Sequence, residues 1–161
     1  MPIVWTHSPA LTCKIAGRGW RPGALGPLDP RVEIVGATEN LDDLFASLRL
    51  TVAPLRFGAG VKGKVLDSFA AGLPCVMSDI AAEGLPLAGP LTRLIGSDAA
   101  EIGETVLHLH DDEAANMTCS SWARGFSAKH FTDDNVLRAL REALSGATSI
   151  ERGATSLNLG A

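Results

Sequence analysis

The sequence predicts an α/β domain in which a mainly parallel sheet is covered by helices on both faces, a Rossmann-like three-layer αβα sandwich. Short apolar runs alternate with longer amphipathic segments along the chain, which is the pattern of parallel strands joined by crossover helices. Gly, Pro or Asp residues separate most of these segments and mark turns. With 161 residues, 46% of them apolar, the chain can bury the core of one domain.

Five short apolar runs predict strands, at 12–16, 32–35, 50–54, 74–77 and 92–95. Five amphipathic segments predict helices, at 39–48, 61–72, 99–110, 113–129 and 133–144. A Gly- and Pro-rich loop occupies 17–30. We expect the domain to cover 1–146, because hydrophobic periodicity fades beyond Ser145 and the composition of 147–161 predicts a flexible tail.

Composition narrows the classes of partner. A formal net charge of -4 argues against a general nucleic-acid-binding protein. The three cysteines have no metal-ligand spacing, and their odd number without a signal peptide predicts a cytoplasmic location. No apolar run approaches the ~20 residues that span a bilayer, although peripheral membrane contact stays open.

The segment from Gly58 to Lys64 predicts a site for phosphates. It contains three glycines and two lysines and lies between an apolar run and a helix. Glycine lets the backbone approach a ligand, and the first turn of a helix presents free N–H groups to an anion. The spacing matches the first part of a P-loop, but Val65 stands where that motif needs Ser or Thr to hold magnesium. A degraded P-loop phosphohydrolase is therefore a disfavoured alternative.

The helix after this segment is expected to turn one face to a ligand and another to the sheet. Gly60, Lys64 and Asp67 recur at intervals of four and three, so they share one face. About 10 Å separate the first from the last at about 1.5 Å per residue, a length that fits a nucleoside diphosphate. The alternative is a solvated face on which Lys64 and Asp67 form a surface ion pair. An apolar stripe is predicted to pack on the sheet: Val61, Val65 and Phe69.

The segment 52–78, VAPLRFGAGVKGKVLDSFAAGLPCVMS, resembles the donor-site core of GT-B glycosyltransferases, in the broad group that includes family 4 (GT4). Other parts of the chain resemble the neighbouring elements of that fold: 1–8 its first helix, 15–19 and 32–36 two strands, 40–45 a helix, and 81–85 the next loop. The resemblance covers about 1–146. It implies the C-terminal, nucleotide-sugar-binding half of the fold, with its first strand missing.

The resemblance also implies which residues bind the donor. Backbone N–H groups from Gly60 to Lys64 would bind the diphosphate, Lys62 or Lys64 would add charge, and Asp67 would accept hydrogen bonds from the ribose. In a second segment, from Ser78 to Leu85, N–H groups from Ala81 to Gly84 would approach the sugar or phosphate and Glu83 would bind a hydroxyl, unless this segment is only a helix cap. The expected donor-binding set is Gly58, Gly60, Val61, Lys62, Gly63, Lys64, Asp67, Ala81, Ala82, Glu83 and Gly84.

The implied activity is transfer of a sugar from a nucleoside diphosphate sugar to an acceptor hydroxyl, with retention and without a metal or cofactor. Many family members carry two glutamates, and here Asp67 occupies the second position while Ala59 occupies the first, so the catalytic residues stay unassigned. The resemblance implies that the acceptor-binding N-terminal half of the fold is absent from this sequence. We therefore expect a chain inactive alone: a fragment, a subunit completed by a partner, or a degenerate gene product. A non-catalytic nucleotide-binding or interaction module is the alternative.

Two further patterns have plainer interpretations. The segment from His108 to Asp112 contains two imidazoles and two carboxylates, but residues two apart do not share a helix face, which favours a helix end over a metal site. Gly17 and Gly19 follow a strand, but Pro22 stands in place of the third glycine of a dinucleotide-binding fingerprint. This departure disfavours a dehydrogenase. Arg18, between the two glycines, either borders the cleft or is a solvated loop residue.

Overall fold

The computed structural model describes residues 1–19 and 26–154, without the side chains of 139 and 146–154. The described elements confirm the α/β class. In chain order they are α1 (Pro2–His7), β1 (Cys13–Ala16), β2 (Val32–Gly36), α2 (Leu41–Ala46), β3 (Thr51–Ala53), α3 (Gly63–Ala70), β4 (Cys75–Met77), α4 (Asp79–Ala82), a 3-10 helix (Gly89–Leu94), α5 (Ala99–Asp111), α6 (Glu113–His130) and α7 (Asp133–Ala154).

The strands run parallel and are hydrogen-bonded in two pairs. β1 pairs with β2, and β3 pairs with β4. The fifth strand, predicted at 92–95, is wrong: most of it belongs to the 3-10 helix, and only Ile95 forms a single parallel bridge, to Met77. Gly89, at φ +56°, and Pro90 open that helix. A proline with fixed φ and no N–H favours such a tight turn over a strand ladder.

The core surrounds β4, whose three residues Cys75, Val76 and Met77 are all buried. Helices α3 and α5 pack against β4, and α6 packs on α3, where Phe69 of α3 and Phe126 of α6 make a T-shaped contact with ring centroids 5.7 Å apart. The other pair of strands is less protected. No residue of β1 or of α2 is fully buried, so this half contributes less to the apolar core.

Helix α1, as predicted for 1–8, connects the two halves. Trp5 donates its indole N–H to the carbonyl of Leu11 at 2.7 Å, and the Arg31 guanidinium lies 4.1 Å above the Trp5 ring centroid. On its other side α1 packs against α5, where Ile3 approaches Gly103 so closely that a Cβ there would lie 3.1 Å from Ile3 Cγ2. The α1 helix is therefore part of the packed domain.

The C-terminal helix is longer than predicted. α7 reaches Ala154, so 147–154 is helical where a tail was expected, and 155–161 lies outside the described residues. Part of the loop predicted at 17–30 is also outside them.

Four exposed apolar residues line one side of α7: Val136, Leu137, Leu140 and Leu144. Within the described ranges, no helix combines the length and the apolar content that crossing a bilayer would demand.

Candidate functional site

The two predicted ligand segments meet at one edge of the β3–β4 pair. Because β3 and β4 are parallel, their carboxyl ends lie at the same edge of the sheet. Open α/β sheets bind ligands at this edge. Ser78, directly after β4, is hydrogen-bonded to the end of β3 and to the residues that follow it. Its hydroxyl donates to the carbonyl of Leu55 at 2.7 Å, and its N–H donates to the carbonyl of Ala53 at 3.2 Å.

Helix α3 begins at this edge with an open N-terminus. The helices α2, α4, α5 and α6 each have a side-chain cap, from Asn40, Ser78, Asp98 and Asp112. The N-cap of α3 is Lys62, which makes no capping hydrogen bond. Across the described part of the chain, no acceptor meets the N–H groups of Gly63 and Lys64. Such free N–H groups, at the positive end of the helix dipole, attract anions.

The start of α3 corrects part of the predicted ligand face. The helix begins at Gly63 rather than at 61, because the backbone of Lys62 is extended, at φ −94° and ψ +106°, and Gly60 has a left-handed φ of +67°. Gly60 therefore lies in the loop, and only Lys64 and Asp67 share the exposed helix face. Both side chains are exposed, and no ion pair joins them among the described residues. The alternative of a surface ion pair is thus not what the structure contains.

The apolar stripe is confirmed at two of its three positions. Val65 and Phe69 are fully buried against the core. The prediction is wrong for Val61, because this residue precedes the helix and is 44% exposed. Its side chain lies beside Gly84 instead, where a Cβ added at Gly84 would come within 3.3 Å of Val61 Cγ2. The glycine loop and the 81–84 segment are therefore in direct contact.

The two lysines of the loop have different surroundings. Lys62 is buried, with 8% of its surface exposed, and its ammonium donates a hydrogen bond to the carbonyl of Gly60. The same ammonium lies 3.8 Å from a carboxylate oxygen of Glu83. Lys64 points into solvent beside the open helix N-terminus. The sequence did not distinguish which lysine would add charge at the diphosphate, whereas in the structure Lys64 is the accessible one of the two.

The second segment is a capped helix as well as a loop. The N–H of Ala81 donates to the Ser78 hydroxyl at 3.3 Å and to its carbonyl at 2.9 Å, and the N–H of Ala82 donates to the same carbonyl at 3.0 Å. The helix-cap alternative is thereby confirmed. Contrary to the prediction, the N–H groups of Ala81 and Ala82 are already engaged, which leaves Glu83 and Gly84 to face the glycine loop. The cap is Ser78, the first residue of the segment, and a serine directly after a strand and before an acidic residue is a capping signal.

The remaining candidates belong to other elements of the fold. α5 ends at Asp111 and Asp112 caps α6, so the predicted helix end is confirmed there. Within the ranges that the structure describes, no cluster of three or more His, Cys, Asp or Glu side chains is arranged to hold a metal ion. Arg18 is exposed after β1, whose following residue Gly17 donates its N–H to the carbonyl of Gly36 at 2.7 Å.

Two shallow cavities lie elsewhere on the surface. One, of about 430 Å³, is lined by Pro2, Trp5, Thr6, Asp29 and Arg31; the other, of about 350 Å³, is lined by Ala70, Arg124, Ser127, Ala128, Phe131 and Thr132. The glycine loop lines neither of them. The loop lies at an exposed edge of the sheet, so a ligand bound there would contact this chain on one side.

Comparison with known proteins assigns the family. Residues 1–112 match the family model described as glycosyl transferases group 1. The chain belongs to this family. The matched part of this group 1 glycosyltransferase chain contains α1 through α5 and therefore the whole edge described above.

The fold is similar to that of a solved structure, the crystal structure of Anabaena Alr3699/HepE in complex with UDP. The TM-score is 0.76 at 15% sequence identity, and the similarity covers 90% of this chain but 43% of that one. The chain thus spans less than half the length of HepE. No curated protein matches the chain. The fold likeness supports the Rossmann-like α/β architecture.

Proposed function

We propose that this chain is the donor-binding, C-terminal half of a GT-B glycosyltransferase of the GT4 type, and that it binds a nucleoside diphosphate sugar at the N-terminus of α3. The observation that carries the proposal is the missing cap: α3 begins with free N–H groups at Gly63 and Lys64, where four other helices have a side-chain acceptor. A diphosphate oxygen supplies the acceptor that the protein lacks. Membership of the group 1 family supports this assignment.

In the proposed reaction, the bond between the anomeric carbon of the sugar and the diphosphate oxygen breaks. That oxygen keeps the electron pair, while the acceptor hydroxyl forms the new bond to carbon and gives its proton to the departing diphosphate oxygen. The N–H groups and the Lys64 ammonium stabilise the charge that develops on the leaving diphosphate. Asp67, exposed on the same face one turn further along α3, would accept hydrogen bonds from the ribose. These groups supply the charge stabilisation without a metal ion, and retention of configuration is the expected outcome.

The acceptor-binding site would be provided by a second Rossmann-like half. The donor edge is open and lined from one side, so it needs a facing surface to hold an acceptor hydroxyl against the sugar. We propose that such an N-terminal half, in a longer chain or a partner, completes the enzyme in the cytoplasm, with peripheral membrane contact of the whole enzyme as a further possibility. The HepE similarity, which covers 43% of that protein, supports this division.

The test is a calorimetric titration of the chain with UDP and GDP in buffer containing EDTA and no phosphate. We expect one of these nucleotides to bind without magnesium and Lys64→Ala to weaken it about tenfold, the loss of one hydrogen bond from a charged donor. Lys14→Ala is the matched control, because Lys14 lies on β1 and pairs with Glu33 at 4.0 Å. Equal affinities for the two variants, or binding that depends on magnesium, would refute the proposed site.

One observation favours a second candidate, a nucleotide-binding module without turnover. Ala59 brings no carboxylate to the exposed loop beside the sugar position. Supplying an acceptor half and a sugar nucleotide separates the two functions: transfer favours the enzyme, and tight binding without transfer favours the module. The P-loop alternative loses support, because Val65 is fully buried in the core and faces away from the ligand edge. Magnesium-dependent ATP hydrolysis by the chain would restore it.

A further inference from the structure

Lys62 is the one charged side chain that is buried in the described part of the chain. It belongs to the glycine loop, yet its ammonium turns inward under that loop and donates to the carbonyl of Gly60. Gly58 makes room for it, since a Cβ at that position would lie 3.2 Å from Lys62 Cε. The lysine stem therefore runs beneath the loop, in contact with its first residues.

The only acidic partner of this ammonium among the described residues is Glu83, on the other ligand segment. The nearest oxygen is 3.8 Å away, and 58% of the Glu83 side chain is exposed. A buried ammonium is costly unless it is paired and hydrogen-bonded. Glu83 thus provides a reason for Lys62 to stay turned inward, and the contact between Val61 and Gly84 joins the same two segments.

We propose that Lys62 is a positioning residue, held by Glu83, that fixes the shape of the glycine loop, and that it is not a diphosphate ligand. Glu83 acts through Lys62 and is not a ligand for the sugar. For its effect on nucleotide affinity this inference rests on the function proposed above. The Lys62–Glu83 pair itself is a property of the free protein.

The loop shape matters because it leaves the start of α3 open. With Lys62 turned inward, its ammonium binds Gly60 and leaves the N–H groups of Gly63 and Lys64 to an anion. Without Glu83, the ammonium gains by turning out to water, and the Gly60 carbonyl loses its donor. The loop then samples other conformations, and a nucleotide must pay the entropy of ordering it again.

A simple charge effect predicts the opposite sign for one variant. Glu83→Gln removes a negative charge near the anion site, so electrostatic repulsion alone would make UDP bind more tightly. If Glu83 acts by holding Lys62, the same variant makes UDP bind more weakly, by about two- to fivefold, the range for a partly exposed ion pair. The direction of the change therefore distinguishes the two roles.

The first experiment uses the free protein and needs no nucleotide. We would measure ¹⁵N order parameters for the backbone of residues 58–62 in the wild type, in Glu83→Gln and in Glu33→Gln, which breaks the distant pair with Lys14. Order parameters that fall from the rigid range to below about 0.6 only in Glu83→Gln support the proposal. Unchanged values in Glu83→Gln overturn it, whether or not any nucleotide binds.

The second experiment is a double-mutant cycle on UDP affinity with Glu83→Gln and Lys62→Met. We expect both single variants to weaken binding and the double variant to match Lys62→Met, since Glu83 has no effect once Lys62 is gone. Lys62→Arg, which keeps the charge, should restore most of the affinity. Additive effects, or tighter binding by Glu83→Gln, overturn the inference. If the wild type binds no nucleotide, the proposed function fails and the order parameters alone decide the pair.

Discussion

Replacement of Gly72 by alanine tests how α3 is terminated. The helix ends in a Schellman arrangement: the N–H of Leu73 donates to the carbonyl of Ser68 at 2.9 Å, and the N–H of Gly72 donates to that of Phe69 at 3.0 Å. Gly72 has a φ of +76°. Alanine is strained in this left-handed region, so the substitution acts directly on the folded state.

Two contributions set the size of the effect. The left-handed conformation costs a residue with a Cβ about 1–2 kcal/mol, offset in part by about 0.4–1 kcal/mol from the less flexible unfolded chain. The new Cβ would also lie 2.1 Å from one terminal nitrogen of Arg124 and 3.0 Å from its Cγ. Because the Arg124 side chain is exposed, it can move, at an additional cost. We expect a net loss of about 1–2 kcal/mol in the free energy of unfolding.

Urea denaturation of the 161-residue chain, followed by circular dichroism, measures this loss. Gly63→Ala is the matched control, since nothing lies within 4 Å of its Cβ position, and it should leave stability unchanged or raise it slightly. The double variant Gly72→Ala/Arg124→Ala separates the two contributions. A Gly72→Ala protein within 0.5 kcal/mol of wild type, which is the usual scatter of neutral substitutions, would refute the reasoning; full rescue by Arg124→Ala would refute the conformational part.

Three further predictions concern the rest of the domain. Hydrogen bonds from Arg31 lower the pKa of Asp29 from 3.8 to about 2, so the stability that the pair contributes is present above pH 3.8 and is lost as the pH falls towards 2; NMR titration checks the value, and Arg31→Gln should return it towards 3.8. Burial raises the pKa of Cys75 to about 11, so at pH 8 a disulfide reagent should label half-buried Cys13 well before it; equal rates in peptide mapping would contradict this. Phe69→Ala should cost about 3–5 kcal/mol in the same denaturation assay, and a loss under 2 kcal/mol would contradict its place in the core.

The sequence predicted the parts of the fold that follow from local periodicity. β4 is a short apolar run between two turn signals, and its residues are buried together. The strand predicted at 92–95 failed, because Pro90 and the left-handed Gly89 favour a tight helical turn over a ladder. The end of α7 was also misplaced, since small residues beyond Ser145 continue the helix without an apolar pattern.

The site was predictable as two segments but not in its internal arrangement. The glycines and lysines marked the loop, and the parallel strands brought it to the 81–84 segment. The different surroundings of Lys62 and Lys64 were not predictable, because they depend on where Glu83 lies in space and on the room beside Gly58. The cap at Ser78, by contrast, was one of the two interpretations that the sequence offered for this segment, and it engages the N–H groups of Ala81 and Ala82.

The open N-terminus of α3 has a practical consequence for the choice of buffer. Free N–H groups beside an exposed lysine do not distinguish a nucleotide diphosphate from any small oxyanion. Inorganic phosphate or sulfate at tens of millimolar would therefore compete at the same atoms and lower the apparent affinity for UDP. The ratio of affinities measured in chloride and in phosphate then reports how much of the binding depends on this helix end, separately from contacts to the base and the sugar.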